Sequence, residues 1–216
     1  MILARRPLLL GIAATLAGFP PALANIPRTG RIAFKVSRKG DPMGTHNLSF
    51  STEGQDLVVD VAIDLKVTLV AIPVFRYTHR NRERWRDGKL MAIDSQTDED
   101  GDKLFCRGKA TAQGFAVEGS AGNRVFPAEV MTTSWWNPEV TKRRELLNTQ
   151  DGAALPVAVT PRGQERVPTA AGEIAAERFD IAGEVPLELW YDAEKVLARI
   201  RFKAKRDGSV IDYVRT

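Results

Sequence analysis

Residues 74–89 read VFRYTHRNRERWRDGK, with five arginines in eleven positions and His79 and Glu83, the candidate acid–base groups, set among them. Parity sorts this stretch. Arg76, Thr78, Arg80, Arg82, Arg84 and Arg86 are even; Phe75, Tyr77, His79, Asn81, Glu83 and Trp85 are odd. On a helix the arginines would scatter around the axis, whereas on a strand they form one ladder and the aromatics form the opposite face. The odd face runs from apolar Phe75 and Tyr77 through His79, Asn81 and Glu83 to Trp85. If that face is the inner one, its polar trio must be hydrogen-bonded or meet a wet opening. The second of the two histidines, His46, also falls on the apolar parity of its own run. His46, His79 and Glu83 are therefore the residues from which metal-assisted or hydrolase-type acid–base chemistry would be built. Their spacing matches no metal motif. The preferred reading is of satisfied core or rim histidines, with no metal or cofactor assigned.

Other reactive-looking groups are weaker. Trp135 and Trp136 point to opposite faces if extended, so one plugs the core and the other sits at a rim, as a lid or as a stacking platform. Ser134 lacks the glycine elbow of a serine hydrolase. Cys106, the single cysteine, shares parity with Leu104, Gly108 and Ala110, which predicts a buried, inert thiol.

The elements that must position these groups are strands. In LVVDVAIDLKVTLV the odd positions from Leu57 to Leu69 are all aliphatic, while the even ones include Asp60, Asp64 and Lys66. Ile32, Phe34 and Val36 alternate with Arg31 and Lys35; His46, Leu48 and Phe50 alternate with Thr45, Asn47 and Ser49. Val196 to Ala204 alternate with Arg199, Arg201, Lys203 and Lys205. Turn pairs such as Glu53-Gly54, Asp87-Gly88 and Asp207-Gly208 separate the runs, and residues 161–172 are polar and loop-like. A hairpin turning at residues 71–73 sets Asp64 opposite Arg80 and Asp60 opposite Arg84. One helix is expected near 138–148, capped by Asn137 with Pro138 at its first position. The fold class expected is all-β: an antiparallel meander forming a strongly curved sheet or barrel, with that one short helix.

The chain opens MILARRPLLLGIAATLAGFPPALAN. Two arginines, a short apolar run, a proline break and Ala22-Leu23-Ala24 predict a signal peptide over residues 1–24, cleaved before Asn25. Arg5-Arg6-Pro7-Leu8-Leu9 also resembles a twin-arginine export signal, so both export routes stand. Residues 25–216 then form a single periplasmic or secreted domain with no later membrane span. Removing residues 1–24 takes Lys+Arg from 31 to 29 against 27 Asp+Glu, so the net charge falls from +4 to +2. That balance argues against a nucleic-acid coat.

The stretches KGDPMGTHNLSF, FRYTHRNRERWRDGKL, SQTDEDG, TSWWNPE and LELWYDAEKVLARIRF together resemble a family of secreted bacterial proteins known as domain of unknown function number 6134. The resemblance covers most of the mature chain. It implies a periplasmic β-rich domain and carries over no activity and no catalytic residues. A looser similarity, to the half-barrel periplasmic lipoprotein carriers, rests on the curved sheet alone.

These readings converge on a non-enzymatic β-domain that binds a lipid or other apolar or amphipathic ligand, or an envelope partner. Its site is expected on the concave face, with Tyr77, His79, Glu83, Trp85 and His46 and with Trp135 and Trp136 near. The alternatives are an enzyme using His79 and Glu83, and a structural partner-binding module.

Overall fold

The structure is a computed structural model that describes residues 26–69, 72–184 and 186–216. The expected signal peptide and its export and cleavage signals lie outside the described residues. Fifteen strands follow in chain order: β1 (Arg31–Arg38), β2 (Asp41–Glu53), β3 (Asp56–Leu69), β4 (Ile72–Arg86), β5 (Lys89–Glu99), β6 (Asp102–Thr111), β7 (Gly114–Gly119), β8 (Arg124–Phe126), β9 (Glu145–Leu147), β10 (Ala154–Pro156), β11 (Ala158–Thr169), β12 (Gly172–Ala182), β13 (Leu187–Asp192), β14 (Leu197–Lys203) and β15 (Val210–Arg215). Thirteen of them form one antiparallel sheet in the order β11-β12-β13-β14-β15-β1-β2-β3-β4-β5-β6-β7-β8, and β9 pairs with β10 alone.

Period-two sequences joined by tight turns dictate this meander. Asp87-Gly88 and Asp100-Gly101 each connect two strands with both residues at positive φ, the twist that a two-residue hairpin needs. The odd positions of β3 and β4 then share one face, and that face carries the core.

The sheet bends around that core. β13 and β4 stand six strands apart, about 29 Å if the sheet were flat. Yet Tyr191 of β13 donates to the Trp135 carbonyl at 2.7 Å, while the neighbouring Trp136 ring meets Trp85 of β4 at 5.6 Å. Only a strongly curved sheet brings both strands to adjacent residues. Residues 127–157 lie within this trough and bury Val130, Met131, Trp136, Val140, Leu146 and Leu147. They approach as close as backbone allows: a Cβ added at Gly119 of β7 would stand 2.2 Å from the Asp151 carbonyl oxygen.

Several expectations are corrected in detail. Of curved sheet or barrel, the sheet is the one formed: the end strands β8 and β11 do not pair with each other. The helix near 138–148 is only a 3-10 turn, Pro138–Lys142, although Asn137 does cap it by accepting from the Glu139 N–H. Leu146 and Leu147 are both fully buried in β9, a pairing that an amphipathic helix of this length would not bury as completely. Residues 161–172 are mostly strand. Pro161, Pro168 and a bulge at Gly163 are devices of an edge strand, and their polarity reads as loop. The β3–β4 hairpin is shifted by two residues, so that Asp60 faces Arg82 and Asp64 faces Thr78. A two-residue shift preserves the faces, and the long guanidinium of Arg80 still reaches Asp64 diagonally at 2.7 Å. The turn itself, residues 70 and 71, lies outside the described residues.

Candidate functional site

Cross-strand register builds the interior from rows. One row runs Phe34, His46, Ile63, His79, Thr97 over β1 to β5. The next runs Ile32, Leu48, Val61, Asn81, Ser95, Cys106, and a third contains Val59, Glu83 and Ile93. The inward polar residues of β4 thus meet Ser95 and Thr97 of β5 on one side and aliphatic residues of β3 on the other.

Glu83 has no solvent exposure. One carboxylate oxygen accepts from Asn81 Nδ2 at 2.9 Å. The other accepts from Trp85 Nε1 at 2.9 Å, Trp136 Nε1 at 3.2 Å and Ser134 Oγ at 3.3 Å. Four donors around one buried carboxylate compensate its lost hydration. His79 lies against Thr97 Oγ1 through Nδ1, at 2.8 Å, and against Thr149 Oγ1 through Nε2, at 3.4 Å. Burial, with a smaller contribution from Arg80, lowers its pKa from 6.5 to about 4, so it is neutral near pH 7. Ser95 Oγ also donates to the Thr149 carbonyl. This polar network joins the sheet to residues 127–157.

His46 is different. It is equally buried, between Phe34 at 5.5 Å and Tyr213 at 5.7 Å, and among the described residues neither ring nitrogen has a hydrogen-bond partner. Burial, then His79, lowers its pKa to about 3. His46, His79 and Glu83 do not converge on one point: the latter two are bound to separate partners, and no three metal-ligating side chains cluster among the described residues.

Beyond His46 the inner face changes character. Ile63, Leu65, Val67 and Phe75 on β3 and β4, and Leu187 and Phe202 on β13 and β14, are only half-buried, though packed against the core. Tyr77 and Tyr213 stand on opposite walls. β4 and β15 are four strands apart in the sheet, yet the Tyr213 phenol is near enough to help raise the Tyr77 pKa, after burial as the main cause. The curvature that brings β13 and β4 to the adjacent residues Trp135 and Trp136 sets these arms on either side of the trough.

The predicted site residues are thus distributed. Tyr77, His79, Glu83, Trp85, His46 and Trp136 are all buried on the inner face, and Trp135 is half-buried at a positive φ of 62°. Trp136 fills the core, edge-on to both Trp85 and Phe50. Ser95 and Thr97 were legible, since they continue the odd parity of Ile93. Thr149 and Gln150, whose side chain donates to Tyr77 at 2.8 Å, come from a loop with no periodicity to reveal them. Cys106 is fully buried, and burial, with Asp151, Glu83 and Asp94, pushes its pKa up to about 12.

The outer face carries the arginine ladder. Arg82 bonds both oxygens of Asp60 at 2.9 and 3.0 Å and also reaches Glu53, while Arg84 and Arg86 pair with Asp56. A second outer cluster, unforeseen from sequence, buries Trp190 beneath three guanidiniums, those of Arg178, Arg199 and Arg201. Its indole donates to Glu165 at 3.0 Å, which binds the β11–β12 hairpin to β13. No helix among the described residues is long and apolar enough to cross a membrane.

A family model described as "Domain of unknown function (DUF6134)" matches residues 34–216. No curated protein and no solved structure matches the chain.

Proposed function

Since the chain belongs to the DUF6134 family, whose description states no activity, we propose a function from its own side chains: an exported, non-enzymatic β-domain, periplasmic or secreted, that binds an apolar or amphipathic ligand such as a lipid. The ligand lies on the inner face between the β3–β4 arm and the β13–β15 arm.

One observation carries this reading. Inner-face positions around Glu83 are closed over by residues 127–157, whereas Ile63, Leu65, Val67, Phe75 and Phe202, on the same face, remain half-buried. A curved apolar wall left partly wet is the surface that an apolar ligand covers, and each Å² it removes from water contributes about 25 cal/mol. The arrangement around His79 and Glu83 favours binding over catalysis. Their polar atoms are engaged by threonine hydroxyls and by indole, amide and serine donors, which leaves no open position for a reacting atom beside the carboxylate. The apolar run before Ala22-Leu23-Ala24 supports export.

The test is binding of the uncharged apolar dye N-phenyl-1-naphthylamine to the mature chain, followed by its fluorescence. The wild type is expected to enhance dye emission saturably, and Phe202→Glu, which places a charge on the wall, to abolish the enhancement while far-UV circular dichroism is unchanged. A wild type that leaves dye emission at its value in buffer would overturn the proposal.

A further inference from the structure

An amphiphile in the trough must also place its polar head, and three side chains stand where that head would lie. We propose that the site selects an amphiphile whose head is uncharged and presents an oxygen, such as an alcohol or ester, and that His46, Tyr77 and Tyr213 hold this oxygen. The inference rests on the apolar trough proposed above and specifies the ligand's polar end.

Two of these rings are in contact and the third lies near them. His46 meets Tyr213 edge-on at 5.7 Å, Tyr77 lies within electrostatic reach of Tyr213, and Phe202 of the half-buried wall packs 6.1 Å from Tyr213. All three retain hydrogen-bonding capacity. Tyr77 accepts from Gln150, and among the described residues its own hydroxyl proton has no acceptor. Both nitrogens of His46 are buried without a partner among the described residues, and burial alone shifts the Tyr213 phenol, with no hydrogen bond contributing. A buried imidazole without partners is costly, on the order of 1–3 kcal/mol for each group left unsatisfied, and a ligand oxygen moving into reach removes that cost.

Charge decides the head's chemistry. Burial favours the neutral form of each ring, lowering the His46 pKa and raising those of both phenols, so these three rings offer dipoles and no charge of their own. The cation that register places nearest the wall, Arg38 opposite Ile211, is already held by Asp207 at 2.5 Å, so an anionic head would have to displace that partner. Glu99, opposite Tyr77 on β5, is an acidic neighbour that disfavours a second negative charge there. A quaternary ammonium head cannot accept a hydrogen bond from any of the three. An uncharged oxygen satisfies the donors without an unpaired ion.

The experiment displaces bound N-phenyl-1-naphthylamine with three amphiphiles of equal chain length at pH 7.5: 1-dodecanol, dodecanoate and dodecyltrimethylammonium, each below its micelle threshold. The alcohol is expected to displace the dye at a concentration about tenfold lower than either ion. His46→Phe and Tyr213→Phe, tested separately so that poor packing of one variant does not decide the outcome, are each expected to bring the three probes within about threefold of one another. Dodecanoate displacing as well as dodecanol, or the alcohol preference surviving in the folded variants, overturns the head-group assignment and leaves the trough standing. Absence of dye binding to the wild type removes the trough itself, so the two failures are distinguishable.

Discussion

Trp136 donates its indole N–H to the Glu83 carboxylate at 3.2 Å across 53 residues of chain. That contact, with the Trp85 indole on the same oxygen at 2.9 Å, fastens residues 127–157 to the sheet through a buried carboxyl group. Apolar packing alone would leave the covering segment several ways to lie in the trough. A carboxylate that needs four particular donors accepts one.

Replacing Glu83 tests that fastening. Glu83→Leu leaves the two indole N–H groups and the Asn81 amide buried without their acceptor, and is expected to destabilise the domain by about 3–5 kcal/mol. Glu83→Gln retains one acceptor oxygen and should cost less. Urea unfolding followed by tryptophan fluorescence gives both values. Equal midpoints for Glu83→Leu and the wild type would contradict this account.

Acid should loosen the domain through its two histidines. Their folded pKa values, about 3 for His46 and about 4 for His79, lie below the ordinary 6.5. The unfolded chain therefore takes up protons first as pH falls. The histidine contribution to stability is fully present above about pH 6.5 and is lost progressively down to pH 4 and then 3. Between pH 7.5 and 4.5 the loss is on the order of 2 kcal/mol per histidine. Asp207, held near 2 by Ser209 and Arg38, adds its own loss only below about pH 4. Urea midpoints at pH 7.5 and 4.5 measure the effect, and His46→Phe should remove about half of it.

Gly119→Ala probes the backbone contact under the covering segment. The new Cβ would fall 2.2 Å from the Asp151 carbonyl oxygen and 3.0 Å from Gly152 Cα, so backbone must move. A loss of about 3 kcal/mol is expected, in the range of overpacked interiors. Gly54→Ala, where a Cβ meets nothing within 4 Å, carries only the strain of its φ of 62°, about 1 kcal/mol. Thermal unfolding of the two variants side by side should show the difference.

The two arginine clusters should respond differently. Arg82 is 45 % exposed, so Arg82→Ala is expected to cost less than about 1 kcal/mol, and less again in high salt. Arg178 is 21 % exposed, contacts Glu165, Asp180 and Glu188, and covers the Trp190 ring. Arg178→Ala removes packing as well as charge and should cost about 2 kcal/mol, with weaker salt dependence. Chemical denaturation at two ionic strengths separates the cases.

Period-two alternation decided much of this protein before any tertiary contact. The faces of Leu57 to Leu69 and Phe75 to Trp85, the outward arginines and the hairpin turns at Asp87-Gly88 and Asp100-Gly101 follow from it, because a strand alternates sides whatever it packs against. Register was beyond its reach. A shift of two residues leaves every side chain on its face, so Asp60 faces Arg82 and not Arg84 without any change in pattern. Residues 127–157 were beyond it too. They have little periodicity, and their positions are set by Trp136 finding Glu83 and by Thr149 finding His79. The same holds for the approach of Tyr191 on β13 and Trp85 on β4 to the adjacent residues Trp135 and Trp136, across six strand positions. Curvature sums over the whole sheet, where no local stretch of sequence records it.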